Sequence, residues 1–405
     1  NGDIVCDGED KTFTITVNPT AQVEQPTNQV VCNEEEVDVL FTTENIFGST
    51  SYSWVSDIEI GAGLSGNGDM DFTAINSSTA PVEATITVTP TFEFDNVVCD
   101  GEDKTFTITV NPTAQVDQPI DQIVYHQGTT TPVLFTTQNT GGTTTYTWTN
   151  NTPSIGLSGS GNGDILAFTA TNTISTPVVA IITVTPTFEN GGIVCDGEDK
   201  TFTITVNPTA QVDDITNQVV CHLDEVNVLF STQNTSGTST YNWTSDVEIG
   251  AGLSGTGDMN FTATNLTAAP VVAAINVTPS FTSGGITNVG DVISFTITVN
   301  PTAQVDQPLD QVVCNLDEVN VLFSTQNTGG STSYSWVSNT QIGAGLSGSG
   351  NMNFTATNSS TEPIVATITV TPTFENGGIV CDGEDKTFTI TVNPTVGVNA
   401  LADQY

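Results

Sequence analysis

One 18-residue string, CDGEDKTFTITVNPTAQV, stands letter for letter at three places in this chain, residues 6–23, 99–116 and 195–212. A shorter copy begins at Cys381, and a degraded copy begins at Asn288. The tripeptide NPT recurs with spacings of 93, 96, 93 and 93 residues, at Asn18, Asn111, Asn207, Asn300 and Asn393. A period of this length is that of a small β-sandwich, so the chain is predicted to be a tandem array of whole domains. Arrays of near-copies supply length, reach or multivalency, and no catalytic site needs one.

Repeat boundaries are predicted at the NPT tripeptide, because proline has no N–H for the sheet and ends the strand before it. Four complete repeats follow from this rule: repeat one at 20–112, repeat two at 113–208, repeat three at 209–301 and repeat four at 302–394. Residues 1–19 are interpreted as the last strand of a preceding repeat, and residues 395–405 as the start of a next one. The chain is therefore expected to be a piece of a longer protein.

The apolar pattern of each repeat predicts strands and no helix. Phe13, Ile15 and Val17 alternate with threonines, which indicates a half-buried strand over Lys11–Pro19. Each repeat also has one Tyr-x-Trp triplet, and residues two apart on a strand share a face. These aromatic pairs are predicted core residues: Tyr52 and Trp54, Tyr146 and Trp148, Tyr241 and Trp243, Tyr334 and Trp336. About seven short strands around one tryptophan are typical of an immunoglobulin-like β-sandwich. Four sandwiches in series predict an extended rod, on the order of 150 Å long.

The charge of the chain excludes several partners. Acids number 45 and bases 4, for a net charge of −41. No basic patch exists, so nucleic acid is not expected as a partner. No apolar run is long enough for a transmembrane helix, so membrane insertion is not expected either. Apolar residues at 37% suffice for a set of small cores, and the regular alternation argues against disorder.

One acidic turn recurs ahead of the last strand and is the candidate metal site. Three carboxylates around a glycine could offer oxygens to Ca²⁺, a hard cation that takes roughly six to eight of them. The alternative is a solvated turn neutralised by the lysine that follows it, and calcium binding is expected to be weak if it occurs. No other cofactor and no catalytic residue is predicted. The turns comprise Asp7, Glu9 and Asp10; Asp100, Glu102 and Asp103; Asp196, Glu198 and Asp199; Asp382, Glu384 and Asp385; repeat three has lost this cluster.

Seven cysteines fall into two classes of position. One class precedes the last strand, at Cys6, Cys99, Cys195 and Cys381, with Asn288 in repeat three. The other class ends a QVVC segment, at Cys32, Cys221 and Cys314, with Tyr125 in repeat two. Pairing within repeats would join Cys32 to Cys99 and Cys314 to Cys381, whereas pairing across boundaries would join Cys6 to Cys32 and Cys195 to Cys221. A sandwich brings early and late strands together, which favours pairing within repeats, but counting leaves both schemes open. Either scheme predicts an oxidising, extracellular location.

The repeat resembles a known family. The string VNPTAQVxQPxxQVVC, followed by a TYxW strand, an FTATN strand and an ATITVTPTF strand, is similar to the PKD-like repeats of Bacteroidota surface proteins. Related cysteine-containing repeats build very large gliding-motility adhesins, which leave the cell by type IX secretion. The resemblance implies bridges within repeats, Cys32–Cys99 and Cys314–Cys381. Cys195 would then face Tyr125, and Cys221 would face Asn288, without bonds.

Two classes of function stay open. The first is a non-enzymatic stalk or filament segment of a secreted cell-surface adhesin. The second is an array of glycan- or protein-binding modules, with a spacer attached to a secreted enzyme as a further possibility. Sugar sites need exposed aromatic platforms, so burial of the tryptophans favours the stalk. Expected partners are neighbouring repeats of the same chain, with secretion machinery, surface polysaccharide or other copies as candidates.

Overall fold

The computed structural model describes residues 2–397, and in that part of the chain it contains thirty β-strands, one 3-10 turn and no α-helix. The fold is all-β, as predicted: a series of immunoglobulin-like β-sandwich repeats. No helix within the described residues is long and apolar enough to cross a bilayer. The predicted start of a further repeat at 395–405 lies mostly outside the described residues.

Repeat one consists of a large sheet and a small sheet. Its strands are β1 (Gln29–Cys32), β2 (Glu36–Val39), β3 (Ser49–Ser56), β4 (Ser65–Asn67), β5 (Met70–Thr73), β6 (Val82–Phe94), β7 (Val97–Asp100) and β8 (Lys104–Asn111). The large sheet has the order β1-β8-β6-β3-β4, and β7 pairs with β6 beyond the end of β8. The pairing of β1 with β8 is parallel, and the other pairings in this sheet are antiparallel. Strands β2 and β5 form the small sheet.

Repeat two keeps the large sheet but not the small one. Its strands are β9 (Gln122–Tyr125), β10 (Thr143–Asn150), β11 (Ser160–Asn162), β12 (Val178–Asn190), β13 (Ile193–Asp196) and β14 (Lys200–Asn207). The small sheet is reduced to two isolated bridges, Thr129 with Thr169 and Val133 with Ile165. Pro132 precedes Val133 and has no N–H to donate, which accounts for the interruption. The 3-10 turn, Pro153–Ile155, lies in the loop that is longer in this repeat.

Repeats three and four reproduce the arrangement of repeat one. Repeat three contains β15 (Gln218–Cys221), β16 (Glu225–Val228), β17 (Thr238–Ser245), β18 (Ser254–Thr256), β19 (Met259–Thr262), β20 (Val271–Ser283), β21 (Ile286–Val289) and β22 (Ile293–Asn300). Repeat four contains β23 (Gln311–Cys314), β24 (Glu318–Val321), β25 (Ser331–Ser338), β26 (Ser347–Ser349), β27 (Met352–Thr355), β28 (Ile364–Asn376), β29 (Ile379–Asp382) and β30 (Lys386–Asn393).

The long strand β6 shows how the sequence forms both the core and the break in the sheet. Its residues alternate between a buried and a solvent-facing side, so that Ala84, Ile86 and Val88 enter the core. Each fully buried isoleucine or valine stabilises the repeat by about 1.5–3 kcal/mol. Pro90 lies between the stretch that pairs with β8 and the stretch that pairs with β7, where its carbonyl accepts a hydrogen bond from the N–H of Gly101 at 3.0 Å. Because an antiparallel residue directs its N–H and C=O to the same side, the missing N–H faces a gap between partner strands.

The chain forms two compact units. The first contains the residues up to Asn172 together with Val178–Val206, and the second contains Thr173–Pro177 together with the residues from Asn207 onward. The first unit contains the cores of repeats one and two, and the second those of repeats three and four.

The predicted strand over Lys11–Pro19 does not form. Residues 2–28 contain no strand, and the side chains of Phe13, Ile15 and Val17 are exposed. The same residue types in β8 are buried because β6 and β1 flank that strand. The alternation is therefore present in this segment, but the neighbouring strands that would bury it are not among the described residues.

Candidate functional site

Consecutive repeats within each unit are joined by a set of hydrogen bonds that begins at the NPT asparagine. In the first unit, the buried Asn111 side chain donates from Nδ2 to the carbonyl of Asn190 at 3.0 Å. Asn190 donates in return from its Nδ2 to Oδ1 of Asn111 at 2.9 Å. In the second unit, Asn300 and Asn376 form the same reciprocal pair, at 3.0 and 2.9 Å. The proline that follows the asparagine ends the strand, so the side chain lies at the end of its repeat and reaches the next one.

A loop of the following repeat adds a second contact. Asn139 accepts a hydrogen bond from the N–H of Gln115 at 2.7 Å and donates to the carbonyl of Thr113 at 3.2 Å, which fixes the entry of the chain into repeat two. The next residue, Thr140, donates its N–H to the carbonyl of Thr79 in repeat one at 2.9 Å. In the second unit, Thr328 donates to Ala268 in the same way, also at 2.9 Å.

The tip of a β-hairpin from the following repeat covers an edge strand of the preceding one. Gly191 and Gly192 connect β12 to β13 with φ values of 61° and 78°, the left-handed region that a type I′ hairpin turn requires at both central positions. A Cβ on Gly191 would lie 3.0 Å from Cγ2 of Val30 in β1. Gly377 stands in the same relation to Val219 in β15, also at 3.0 Å. Two adjacent glycines thus supply both the turn and the close approach.

Each unit has one disulfide at this junction. Cys32 at the end of β1 bonds to Cys195 in β13, with a Cα–Cα distance of 5.5 Å, so the bridge joins repeat one to repeat two. Cys221 in β15 bonds to Cys381 in β29, with a Cα–Cα distance of 5.6 Å, and joins repeat three to repeat four. The thiols of Cys6, Cys99 and Cys314 are unpaired.

The predicted pairs Cys32–Cys99 and Cys314–Cys381 are wrong. Cys32 lies opposite Asn111, at the end of the large sheet where Val82 begins β6. Cys99 lies opposite Phe92, ten residues further along the same strand. At about 3.3 Å per residue, the two cysteines are at opposite ends of the repeat, on the order of 30 Å apart. A disulfide requires Cα atoms within about 7 Å, so no bridge within a repeat can form.

The alternative across boundaries is also not observed, since neither Cys6–Cys32 nor Cys195–Cys221 is bonded. The pairing that occurs joins the early cysteine of one repeat to the late cysteine of the next and belongs to neither predicted scheme. The signal that could have identified it is the pattern of replacement. Under the observed rule, position 125 in repeat two and position 288 in repeat three are the two halves of one pair. Neither residue is cysteine, so the junction between repeats two and three has no cysteine that lacks its partner.

Asn288 makes a noncovalent contact where the other repeats have cysteine. Its Nδ2 donates to the carbonyl of Pro208 at 2.6 Å, and both groups belong to the second unit. Asn207 also lies in that unit and donates to the carbonyl of Ser283 at 2.8 Å. Ser283 stands where other repeats have Asn190 or Asn376, so no amide returns the hydrogen bond. Oδ1 of Asn207 consequently has no partner within the described residues.

The acidic turns are exposed, and the geometry gives their glycine and one aspartate structural parts. A Cβ on Gly101 would lie 2.1 Å from the carbonyl oxygen of Ala21, so only glycine fits where the turn crosses the entering chain. Repeat three keeps this glycine as Gly290 although it has lost the cluster of three acids and retains only Asp291. Asp103 accepts a hydrogen bond from Thr89 Oγ1 at 2.6 Å, and the equivalent acceptors are Asp199 and Asp385.

The turns do not bring their carboxylates together around a common point. Within the described residues, no group of three or more histidine, cysteine, aspartate or glutamate side chains has a metal-binding arrangement. Lys104, Lys200 and Lys386 follow the turns of repeats one, two and four, and none of them forms an ion pair with its turn. The one ion pair among the described residues joins Lys11 to Glu9 at 3.8 Å, with both side chains exposed.

The aromatic pairs are divided between the core and its edge. All four tryptophans are buried, with 6–7% of their surface exposed. The tyrosines are partly buried, and each packs against a phenylalanine with ring centroids 5.4–5.5 Å apart, as in Phe41–Tyr52. Burial raises the pKa of all four tyrosine hydroxyls above the ordinary value, with nearby carboxylates adding to the effect. No tryptophan is available as a ligand platform.

No protein-family model matches the chain, and no curated protein matches it significantly. Among solved structures, the chain is similar to Drosophila N-cadherin EC1-4, with 13% identity over 91% of this chain and 99% of that one, and a TM-score of 0.30. It is also similar to mouse cadherin-23 EC22-24, with 14% identity over 70% and 99% of the two chains and a TM-score of 0.33. A third similar structure, the insect immune protein hemolin, has 11% identity over 93% and 100%, with a TM-score of 0.25. Likenesses at this level are too weak to transfer a ligand or an activity.

Proposed function

We propose that this chain is a non-enzymatic stalk or filament segment of a large secreted cell-surface adhesin. The observation that carries the proposal is the disulfide between consecutive repeats. A bridge within a domain stabilises that domain alone, whereas Cys32–Cys195 and Cys221–Cys381 fix one domain on the next. Such a bond serves an array whose domains must keep their mutual positions.

The side chains of the repeat support the same function. The tryptophans lie in the cores, where they hold the sandwiches together, and are not arranged on the surface as sugar platforms. The net charge of −41 favours extension and suppresses aggregation, because like charges repel over about 8 Å at physiological salt. Disulfides form and persist in oxidising surroundings, which supports an extracellular location.

The finer assignment rests on the resemblance of the repeat string. We place the chain among PKD-like repeats of Bacteroidota surface proteins, in the class that builds gliding-motility adhesins exported by type IX secretion. The proposed partners are neighbouring repeats, other copies, secretion machinery and surface polysaccharide. A repeated glycan- or protein-binding array is the alternative function.

Small-angle scattering of the oxidised chain tests the stalk. Four sandwiches in series should have a maximum dimension on the order of 150 Å, retained when salt screens the acids. A globular particle of much smaller dimension would contradict the proposal. Binding of the immobilised chain to a panel of surface polysaccharides tests the alternative. Saturable binding that is lost when the four partly buried tyrosines are replaced would favour the binding array.

A further inference from the structure

Strand β3 is paired along one edge over its full length and along the other edge only in part. The short strand β4 pairs with residues 53–55, and the N–H of Gly68 then donates to the carbonyl of Tyr52 at 2.9 Å. Beyond that bond the chain turns away at Gly68, whose φ is 75°, and enters β5 of the small sheet. Residues 49–52 therefore have β6 on one side and no strand of the described chain on the other.

The bond from Gly68 also determines which backbone groups face the unpaired side. The Tyr52 carbonyl points to that side, and an antiparallel residue directs its N–H the same way as its C=O. Alternate residues of a strand are oriented alike, so Thr50 also directs its N–H and C=O away from β6. None of these three groups, the N–H of Tyr52 and the N–H and C=O of Thr50, forms a hydrogen bond within residues 2–397. They line an unpaired strand edge, the kind to which another strand can add.

The same unpaired edge recurs in all four repeats. In each one a glycine donates its N–H to the carbonyl of the Tyr-x-Trp tyrosine at 2.8–2.9 Å, and the short neighbouring strand has ended two residues earlier along the tyrosine strand. We call the four stretches the open edges, and they comprise residues 50–52, 144–146, 239–241 and 332–334. The feature therefore belongs to the repeat itself.

A groove lies along the open edge. In repeat one its volume is about 630 Å³, and its lining includes Phe41 and Tyr52, the hydroxyl residues Ser51 and Thr91, and Asp69. The equivalent groove in repeat four has a volume of about 580 Å³. Successive side chains of a strand point to opposite faces of a sheet. A strand added here would therefore direct its side chains alternately to the aromatic side and to the hydroxyl side.

Carboxylates give the groove its charge. In repeat one, Asp69 lines the groove, and Asp69 and Glu24 are the two carboxylates that act on the Tyr52 hydroxyl. Repeat four keeps one carboxylate, Asp306, and has Asn351 in place of the other. The net charge of −41 opposes the approach of a second copy and attracts a basic partner. The pairs equivalent to Glu24 and Asp69 are Asp117 and Asp164 in repeat two, and Asp213 and Asp258 in repeat three.

We propose that the open edge binds an extended segment of a partner protein by β-strand addition, and that this segment carries a lysine or arginine beside Asp69 or its equivalents. The segment would exchange two backbone hydrogen bonds with Thr50 and accept a third from the N–H of Tyr52. Backbone bonds supply the affinity in this mode of binding, and the acidic groove selects a basic segment. The proposal is independent of the stalk function, which needs no such partner, and it gives the protein-binding alternative a site.

Amide hydrogen exchange measured by NMR on the full chain tests the open edge directly. The probe is an eight-residue peptide of alternating valine and lysine, added in large excess. The N–H groups of Thr50 and Tyr52 should exchange rapidly in the free chain and roughly tenfold more slowly when the peptide is bound. The N–H of Ser51 faces β6 and should be protected throughout.

A second peptide separates strand addition from simple charge attraction. It has the same side chains but is N-methylated at every interior residue, so it keeps its charge and loses its backbone donors. It should give no protection. Absence of protection with the first peptide, or equal protection with both, would overturn the proposal. Protection that rises with protein concentration in the absence of peptide would identify a second copy as the occupant and overturn the choice of partner.

Thr50→Pro removes one unpaired N–H from the open edge of repeat one. Folding should be retained, because this N–H has no partner to lose and proline is tolerated on strand edges. An unchanged melting temperature would verify this. The peptide should no longer protect Tyr52 in this variant, while Tyr146 in repeat two keeps its protection and is the internal control. A folded variant in which Tyr52 is still protected would show that the peptide does not add to this edge.

Asp69→Asn tests the charge of the groove. Repeat four shows that the exchange preserves the structure, because Asn351 accepts the N–H of Phe323 at 2.8 Å just as Asp69 accepts that of Phe41. Binding of the basic peptide at repeat one should weaken roughly two- to fivefold. The matched control is Asp38→Asn, which removes an equal charge from an exposed position on the small sheet and should change binding little. Equal effects of the two variants would contradict a basic residue seated beside Asp69.

Discussion

Asn111 shows how a single side chain can join two domains. Its amide both donates to and accepts from the next repeat, so two hydrogen bonds fix the orientation at the chain crossing. Burial excludes water from this pair, and a buried amide left without a partner costs free energy. Asn207, whose oxygen has no partner within the described residues, is the natural test of this interpretation.

Replacement of Ser283 by Asn should complete the missing pair. We expect the second unit to gain about 1 kcal/mol in free energy of unfolding, at the loss of the exposed Ser283–Ser236 hydrogen bond. For a repeat of this size the melting temperature should rise by about 5 °C, measured by calorimetry. The mirror variant Asn376→Ser should lower it by a similar amount. A fall with Ser283→Asn would contradict this interpretation.

Replacement of Trp148 by Ala should destabilise repeat two by about 3–5 kcal/mol, because a large buried side chain is removed and a cavity remains. A Cβ on Gly161 would lie 2.2 Å from this indole, so the backbone is already packed against the ring. The repeat therefore has little room to close over the cavity. Hydrogen exchange resolved by repeat would measure the loss. Leu166→Ala, at an exposed position in the same repeat, is the control and should change little. Equal effects of the two variants would contradict a core role for the tryptophan.

The hairpin that precedes the last strand of each repeat, such as β12–β13, contributes to the junction in three ways. Its turn covers the edge strand of the preceding repeat, its second strand holds the bridging cysteine, and its end leads into the acidic turn. Gly101 and its equivalents admit the entering chain at that turn, independently of charge. The packing at this turn therefore depends on the glycine, and of the acids only Asp103 and its equivalents bond to a neighbouring strand.

Calcium should therefore have little effect on the array. We expect melting curves with and without chelator to coincide at matched ionic strength, because Asp100, Glu102 and Asp103 are exposed and do not converge on one point. Repeat three has lost the cluster and keeps only Asp291 at this turn, so it is the internal control. A calcium-dependent rise in melting temperature confined to repeats one, two and four would contradict this expectation.

The sequence predicted the elements better than the contacts between them. Alternation of apolar residues and the Tyr-x-Trp triplet indicated the strands and the buried tryptophans, because both depend on positions within one strand. The strand that alternation predicted over Lys11–Pro19 is not formed, because burial there depends on neighbouring strands. Cysteine pairing failed for a related reason: Cys32 and Cys99 are early and late in one repeat, but β6 places them at its opposite ends. The spacing of residues along the chain does not state which end of a long strand they occupy.

For the molecule as a whole, the two bridges determine which domains unfold together. Cys32 and Cys195 are 163 residues apart, and Cys221 and Cys381 are 160 apart, so each bridge encloses parts of two repeats. Closing a loop of this length lowers the entropy of the unfolded chain, worth about 5 kcal/mol in the chain-entropy treatment.

Replacing both Cys32 and Cys195 by Ser should lower the melting temperature of the first unit and separate the unfolding of repeats one and two. The second unit should not change, since its own bridge is intact. Cys99→Ser serves as the control because that thiol is unpaired. Non-reducing peptide mapping checks the premise, and recovery of a Cys32–Cys99 peptide would refute it.

The position of the bridges also determines how the chain responds to mechanical load. If the chain is pulled from its two ends, tension passes from Cys32 directly to Cys195 through the sulfur–sulfur bond. The enclosed residues cannot lengthen, even when the sandwiches they form are open. At about 3.3–3.6 Å per extended residue, each bridge prevents the extension of a chain segment on the order of 500 Å long. An oxidised chain should therefore yield only in short steps, and adding a reductant under constant force should release the remaining length.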